Sequence, residues 1–135
     1  MSSPTQRSLK ELRKDGWTVA ITEHWNPFAH IRQDLFGFID LVAMSPSRGL
    51  LAVQTTSGSN VGKRIAKIKA EPRAAIWLAC GGRIQVHGWR KVGAKGKRKL
   101  WECRTVEILK DYDTERTNDC AGGDPNDDPQ AGVHH

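Results

Sequence analysis

The sequence has 135 residues, a length that predicts one domain with its own hydrophobic core. No apolar run approaches the roughly 20 residues of a membrane helix, and the first residues lack the apolar segment of a signal peptide. We therefore expect a cytoplasmic protein with no membrane partner. Residues 1–110 carry 20 Lys and Arg against 8 acids, a net charge of +12, whereas residues 111–135 carry one against seven, a net of −6. A basic body indicates a polyanionic partner, most often nucleic acid, although an ordinary solvated surface is the alternative.

Two compositional features set the predicted domain organisation. The three cysteines include no CxxC pair, so neither a disulfide framework nor a zinc site is indicated. Residues 111–135 are rich in Asp, Gly, Pro and Asn and almost free of apolar residues, which is typical of disorder. The sequence therefore predicts a folded domain at residues 1–110 followed by an acidic disordered tail at 111–135.

Hydrophobic periodicity and turn residues predict the elements of the body. In chain order they are a basic helix at 5–15 ended by Gly16, a strand at 17–24, a loop at 25–34, strands at 36–44 and 50–56 paired as a hairpin, a helix at 60–71 ended by Pro72, a buried central strand at 74–80, and a hairpin of strands at 83–91 and 100–108. This alternation predicts an α/β fold, with a mixed sheet flanked by helices.

Two polar residues interrupt the apolar runs of the predicted central hairpin. Asp40 lies in FIDLVA and Gln54 lies in LAVQTTS. A carboxylate buried in mid-strand is unfavourable without a partner, and a metal ion is one such partner. The alternatives are an arginine such as Arg32 or a backbone N–H for Asp40, and a hydrogen-bonded core amide or an edge residue for Gln54.

The order α-β-β-β-α-β, with Asp40 in the second strand and Gln54 in the third, resembles the PD-(D/E)XK nuclease superfamily. The segments ELRKDGWTV and SNVGKRIAKI resemble archaeal-type Holliday junction resolvases, and the likeness covers residues 5–91. The resemblance implies a restriction-endonuclease-like core with an added C-terminal β-hairpin. It also implies Mg²⁺- or Mn²⁺-dependent hydrolysis of phosphodiester bonds in branched or duplex DNA by a homodimer. Asp40, Gln54 and the carbonyl of Thr55 are the implied metal ligands.

The motif departs from the family pattern at two positions. Gln54 replaces the commoner Glu, and Thr56 stands where the family has a lysine. Lys63 or Lys67, on the following helix, is a candidate replacement for that lysine; the alternative is that both contact the DNA backbone. The catalytic candidates are therefore Asp40, Gln54, Thr56, Lys63 and Lys67. The candidates for a further metal-binding carboxylate are Glu11, Glu23 and Asp34.

Basic residues predict a surface that contacts DNA phosphates without reading base sequence. The candidates are Arg7, Lys10, Arg13 and Lys14 on the first helix, Arg32, then Lys63, Arg64 and Lys67 on the second helix, and Arg90, Lys91, Lys95, Lys97, Arg98 and Lys99 in the last hairpin. Trp25 is a candidate for stacking on a base, or else a loop anchor packed on the domain.

Three functions are consistent with these patterns. The first is a metal-dependent DNA endonuclease, selective for DNA structure and similar to a junction resolvase. The second is a catalytically inactive nuclease-fold protein that binds DNA, which the threonine at position 56 favours. The third is a module that binds a protein partner through its apolar hairpin.

Overall fold

The structure is a computed structural model that describes residues 3–93 and 100–109 and the backbone of residues 115–121. Its elements are α1 (Pro4–Lys14), β1 (Thr18–Ile21), β2 (His24–Asn26), β3 (Ile31–Gln33), β4 (Leu41–Ser45), β5 (Gly49–Ser57), α2 (Val61–Lys69), α3 (Pro72–Ala79), β6 (Arg83–Val92), β7 (Leu100–Ile108) and β8 (Glu115–Ala121).

A six-stranded mixed sheet forms the centre of the fold. Its strand order is β1-β4-β5-β6-β7-β8, and β2 and β3 form a separate two-stranded sheet. The pair β5–β6 is parallel, and the other pairs of the large sheet are antiparallel. The parallel pair needs a long crossover, which α2 and α3 supply. The predicted α/β class, with a mixed sheet flanked by helices, is confirmed.

Helix α1 has a capping residue at its start and a glycine after its end. The Ser3 hydroxyl accepts a hydrogen bond from the backbone N–H of Gln6 at 3.2 Å, which caps the N-terminus. Leu9 and Leu12 lie on its buried face. Gly16 follows the helix with φ +92°, a conformation that favours glycine. The prediction of a helix at 5–15 is confirmed to within one residue at each end.

Apolar side chains form one core on each face of the sheet. The core on the α1 face contains Leu9, Leu12, Trp17, Val19, Leu41, Ala43, Leu51 and Val53. The core on the face covered by α2 and α3 contains Phe38, Ile39, Ala52, Val61, Ile68, Ala74, Leu78, Ile84, Val86, Val106 and Ile108. Because side chains alternate along β5, this strand contributes to both cores and divides its later polar residues between the two faces in the same way.

The prediction of a central strand at 74–80 is wrong, because these residues belong to α3. Pro72 occupies the first turn of that helix, and the Glu71 carboxylate caps it by accepting from the N–H of Arg73 at 3.1 Å. Ala74 and Leu78, four residues apart, are buried, whereas Ile76 is exposed, as expected of a helix. Strand β6 pairs with β5 in place of the predicted strand, so residues 83–91 belong to the main sheet rather than to an added hairpin.

Three other segments differ from their predictions. Residues 25–34, expected as a loop, contain most of the β2–β3 hairpin. The strand expected at 36–44 begins only at Leu41, because residues 35–39 form a tight turn. In the tail that was expected to be disordered, residues 115–121 form β8, since backbone pairing with β7 does not require apolar side chains. The rest of that tail lies outside the described residues.

A buried polar network attaches α1 to β6. The Ser8 hydroxyl lies 2.8 Å from Nδ1 of His87 and accepts from the indole N–H of Trp89 at 2.8 Å. The Nε2 atom of His87 lies 2.9 Å from Oε1 of Gln85. A neutral His87 that donates from Nε2 and accepts at Nδ1 satisfies every contact. Burial lowers the pKa of His87 to about 4.

This histidine is expected to make the fold sensitive to acid. The unfolded chain takes up a proton near the ordinary histidine pKa of about 6.5, whereas the folded chain resists protonation down to about pH 4. The free energy of unfolding should therefore fall over this range by about 2–3 kcal/mol from His87 alone. Urea unfolding of the wild type and His87→Gln at pH 7 and pH 4.5 measures the difference. His24→Gln, the same substitution at an exposed position, is the matched control.

Candidate metal centre

Three carboxylates meet at the open end of the β4–β5 hairpin, opposite its turn. Glu23, Asp34 and Asp40 each offer an oxygen, and these oxygens lie within 4.8 Å of one another. Asp40 is 3% exposed, and the other two side chains are partly buried. We call these three residues the acidic cluster. Such a cluster could hold a metal ion, because a cation balances the charges that repel one another there.

Backbone hydrogen bonds hold Glu23 beside Asp40. The N–H groups of Thr22 and Glu23 donate to the carbonyl of Asp40 at 2.8 Å and 3.3 Å. The N–H of Asp40 donates to the carbonyl of Val53 at 2.9 Å, which extends the β4–β5 pairing by one residue. The position of the Glu23–Asp40 pair is therefore set by the main sheet.

A tight turn returns the chain from Asp34 to Asp40. The N–H of Leu35 donates to the carbonyl of Ile39 at 2.9 Å and closes the turn. Gly37 within it has φ +81°, which a residue with a side chain adopts only with strain. The turn brings two acids together that a continuous strand at 36–44 would have separated.

The Asp40 carboxylate is the centre of a buried hydrogen-bond network. Its Oδ2 atom accepts from the N–H of Thr55 at 2.8 Å, from the Thr55 hydroxyl at 3.2 Å and from Nε2 of Gln54 at 2.9 Å. Nε2 of Gln54 also donates to Oδ2 of Asp34 at 3.1 Å. The Thr55 hydroxyl lies 2.8 Å from the hydroxyl of Thr5 at the start of α1. The network thus connects the cluster to β5 and to α1.

These contacts bear on the alternatives given for the two polar strand residues. Asp40 accepts a hydrogen bond from the backbone N–H of Thr55. Among the described residues, Arg32 pairs with Glu23 rather than with Asp40, and its Nη1 lies 3.6 Å from Oε1 of Glu23. Gln54 is a buried amide that bonds the cluster itself. Thr55 contacts Asp40 through its N–H and hydroxyl, and the ligand role of its carbonyl stays a prediction.

The protonation of the cluster reflects its burial and its own charges. Burial raises the pKa of Asp40 to about 8, helped by its hydrogen bond with Asp34 and by the charges of Asp34 and Glu23. Burial also acts to raise the pKa of Asp34, but hydrogen bonds from Asp40 and Gln54 and the charge of Lys67 outweigh it and lower that pKa. Asp40 is therefore the acid of the cluster that binds a proton most readily when no cation is present. A divalent cation would take the place of that proton.

The amide oxygen of Gln54 adds a further potential ligand. This buried Oε1 atom has no hydrogen-bond partner among the residues that the structure describes. The amide nitrogen faces two carboxylates, so the oxygen reaches a cation held by them only after the amide turns over. Carboxylate and amide oxygens are the ligands that hard cations such as Mg²⁺, Mn²⁺ and Ca²⁺ prefer. The donor set therefore fits a hard divalent cation.

The cluster lies in the wall of an open cavity of about 480 Å³. The rest of the wall consists of residues 3–5 at the start of α1, residues 54–57 of β5, and the basic side chains of Arg32, Arg64 and Lys67. The Lys67 ammonium lies 3.5 Å from Oδ2 of Asp34. A negatively charged group that entered the cavity would meet a cation site and basic side chains at once.

The structure separates the remaining catalytic and metal candidates. Thr56 is buried and lines the cavity. Lys63 and Lys67 are both exposed, and of the two only Lys67 lines the cavity. Arg64, considered earlier only for DNA contact, lines the cavity with Lys67 because residues three apart share a helix face. Glu11 is exposed and lies outside the cluster. The first turn of α1 faces the cavity, and Glu11 lies about 9 Å from that turn along the helix axis.

The predicted DNA-contacting residues fall into separate environments. Lys10, Arg13 and Lys14 are exposed on α1. The Arg7 guanidinium lies over the Trp101 ring, 3.6 Å from its centroid, which occupies that face of the group. Arg90 pairs with Glu102 at 2.8 Å. The Lys91 ammonium lies 5.4 Å from the Trp101 centroid. The predictions for Lys95, Lys97, Arg98 and Lys99 lie outside the described residues.

Comparison of the chain with protein family models, with curated proteins and with solved structures yields no match. Within the described residues, no helix is both long enough and apolar enough to cross a membrane.

Proposed function

We propose that this protein is a metal-dependent DNA endonuclease with a PD-(D/E)XK-type core. The observation that carries the proposal is the acidic cluster, whose three carboxylates lie within 4.8 Å of one another in a cavity lined by Arg32, Arg64 and Lys67. Hydrolysis of a phosphodiester requires neutralisation of phosphate charge and an activated water. A bound Mg²⁺ or Mn²⁺ supplies both.

The order of elements supports this class. With the β2–β3 hairpin set aside as an insertion, the chain runs α1, β1, β4, β5, then α2 and α3, then β6, an α-β-β-β-α-β order in which β6 is parallel to β5. Asp40 directly precedes the second strand of that order, and Gln54 lies in the third. The resemblance assigns the first ligand to the second strand and the second ligand to the third, so Gln54 lies in its expected strand and Asp40 lies one residue before its own.

The cavity residues have distinct roles in the proposal. Asp40, Asp34 and Glu23 hold the cation, and Gln54 supplies a fourth ligand after its amide turns so that Oε1 replaces Nε2 beside the carboxylates. Thr55 orients Asp40 through its N–H and hydroxyl. The basic side chains bind the phosphate and stabilise the negative charge that develops on it during attack by water. Lys67 takes the place of the lysine that Thr56 replaces.

A catalytically inactive DNA-binding protein is the second candidate. The observation that favours it is Thr56, which is 5% exposed in the cavity wall and carries no charge. Both candidates predict salt-sensitive DNA binding, because the described body is basic. Only the endonuclease predicts strand cleavage.

Incubation with DNA separates the two candidates. Four-way junctions, intact duplex and single strands are each incubated with Mg²⁺, with Mn²⁺ or with chelator, and the strands are resolved on a denaturing gel. We expect cleavage in Mg²⁺ or Mn²⁺ and none in chelator. Retention of DNA without cleavage in either metal would support the inactive candidate. The absence of both retention and cleavage would exclude both candidates.

Metal binding can be measured without DNA. A ligand that binds the folded state alone raises stability, by about 2.7 kcal/mol at a concentration 100 times its dissociation constant. We therefore expect Mn²⁺ or Mg²⁺ to raise the melting temperature of the wild type above its value in chelator. Glu23→Gln should reduce that rise, because it removes one ligand charge. Glu102→Gln, in a pair with Arg90 far along the chain, should retain the full rise.

A further inference from the structure

A small hairpin connects two members of the acidic cluster. Residues 24–33 form β2, a tight turn and β3, with Glu23 immediately before and Asp34 immediately after. We call residues 24–33 the aromatic hairpin. It pairs with itself and is not part of the six-stranded sheet. Whatever binds to it is therefore held beside the candidate metal centre.

The tip of the aromatic hairpin is ordered by a side chain. Oδ1 of Asn26 accepts from the N–H of Phe28 at 2.9 Å and from the N–H of Ala29 at 3.1 Å. Nδ2 of Asn26 donates to Oε1 of Gln33 across the hairpin at 3.3 Å. The Phe28 side chain is nevertheless 94% exposed. The turn thus holds out an aromatic ring that packs on nothing in the described chain.

Trp25 extends this aromatic surface toward the cavity. It is 54% exposed, and its ring packs edge-on against His30 of the same hairpin, with ring centroids 6.3 Å apart. Its directly paired residue on β3 is Arg32, and paired residues of an antiparallel hairpin lie on the same face. Arg32 lines the cavity. One face of the hairpin therefore runs from an exposed indole to a guanidinium beside the acidic cluster.

The charge of the aromatic hairpin fits a nucleic acid. Residues 24–33 contain no Asp or Glu, and they include Arg32 and two histidines. Aromatic side chains stack on bases of any sequence, at about 1–3 kcal/mol per base, provided that the base is free of its neighbours. Paired bases inside a duplex do not offer a free face.

From this placement we infer that the aromatic hairpin binds unpaired bases next to the phosphate held in the cavity. Trp25 and Phe28 stack on the bases, and Arg32 contacts the backbone between them and the metal centre. The inference rests on the proposed function, whose substrate class it narrows to DNA with unpaired nucleotides, such as a branch point, fork or bulge. The surface is sequence-tolerant, because stacking does not read base edges.

The test compares the affinity for a forked duplex with that for an intact duplex of equal length, in chelator so that no strand is cut. We expect the wild type to prefer the fork. The double variant Trp25→Ala and Phe28→Ala should reduce that preference by about thirtyfold or more, because two stacking contacts are lost. Stacking involves no counterion release, so the slope of log affinity against log salt should not change.

Control variants distinguish stacking from a loss of structure. Leu50→Ala removes an exposed apolar side chain from the β4–β5 hairpin and should leave the preference unchanged. Phe28→Trp should retain it. Arg32→Gln should lower the affinity for both DNAs. It should also reduce the slope of log affinity against log salt by about 1, the contribution of one phosphate contact. Equal melting temperatures establish that the variants are folded.

The outcomes separate this inference from the proposed function. The inference is overturned if the wild type binds forks and duplexes equally, or if the double variant keeps the preference for forks. Either result would favour a protein partner for the hairpin instead. If the wild type prefers forks but cuts nothing in Mg²⁺ or Mn²⁺, the endonuclease proposal fails and the hairpin inference stands. If the wild type cuts DNA but the double variant keeps the preference for forks, the endonuclease proposal stands and the hairpin inference fails.

Discussion

Asp40→Asn is expected to lower metal-dependent DNA cleavage by at least about a thousandfold, because metal ions stabilise such transition states by several kcal/mol. Asp40 is the most buried acid of the cluster and the only one that accepts hydrogen bonds from both Gln54 and Thr55. Its replacement removes a ligand charge at the centre of the site. Cleavage rates in Mg²⁺ and Mn²⁺ measure the loss. DNA affinity in chelator should change little, because the basic side chains remain.

Asparagine is the sharper substitution because it keeps an oxygen that accepts from the N–H of Thr55. Asp40→Ala should also abolish cleavage and spare DNA binding, but it leaves that buried donor unpaired, at a cost of about 1–3 kcal/mol. Asp15→Asn is the matched control, since Asp15 is an exposed acid paired with Arg48 at 2.9 Å. Undiminished cleavage by folded Asp40→Asn would exclude the acidic cluster as the catalytic site.

Lys67→Met is expected to lower the cleavage rate by about a hundredfold to a thousandfold, which is typical for removal of one group that stabilises transition-state charge. Lys67 lines the cavity with its ammonium 3.5 Å from Asp34. It is therefore the lysine of α2 best placed to compensate for Thr56. Single-turnover cleavage at saturating protein measures the chemical step apart from DNA affinity.

Lys63→Met is the matched control, because the same substitution is made one turn earlier on the same helix. Lys63 is exposed outside the cavity, so its loss should weaken DNA affinity slightly and leave the saturated rate unchanged. An unchanged saturated rate in both variants, with DNA affinity lowered in both, would assign both lysines to DNA binding. Arg64→Met then tests whether its neighbour in the cavity wall supplies the cation instead.

Local sequence was sufficient for the elements that carry unambiguous signals. The cap at Ser3, the spacing of Leu9 and Leu12 and the stop at Gly16 determined α1. The two apolar runs joined by the turn SPSRG determined the β4–β5 hairpin. The run AAIWLAC did not determine its own structure, because a short apolar segment suits a buried strand and a buried helix equally. Its helical form followed from the cap at Glu71 and from the placement of β6 beside β5.

The sequence also singled out Asp40 and Gln54, because polar residues inside apolar strands need partners wherever the strands pack. It could not choose among Glu11, Glu23 and Asp34, since that choice depends on distances between segments. The tertiary structure brought Glu23 to Asp40 through sheet hydrogen bonds and Asp34 through the turn at 35–39. It turned Glu11 away and brought Lys67 to the cavity rather than Lys63. Sequence therefore determined which residues required partners, and only packing decided the partners, because each contact joins atoms far apart along the chain.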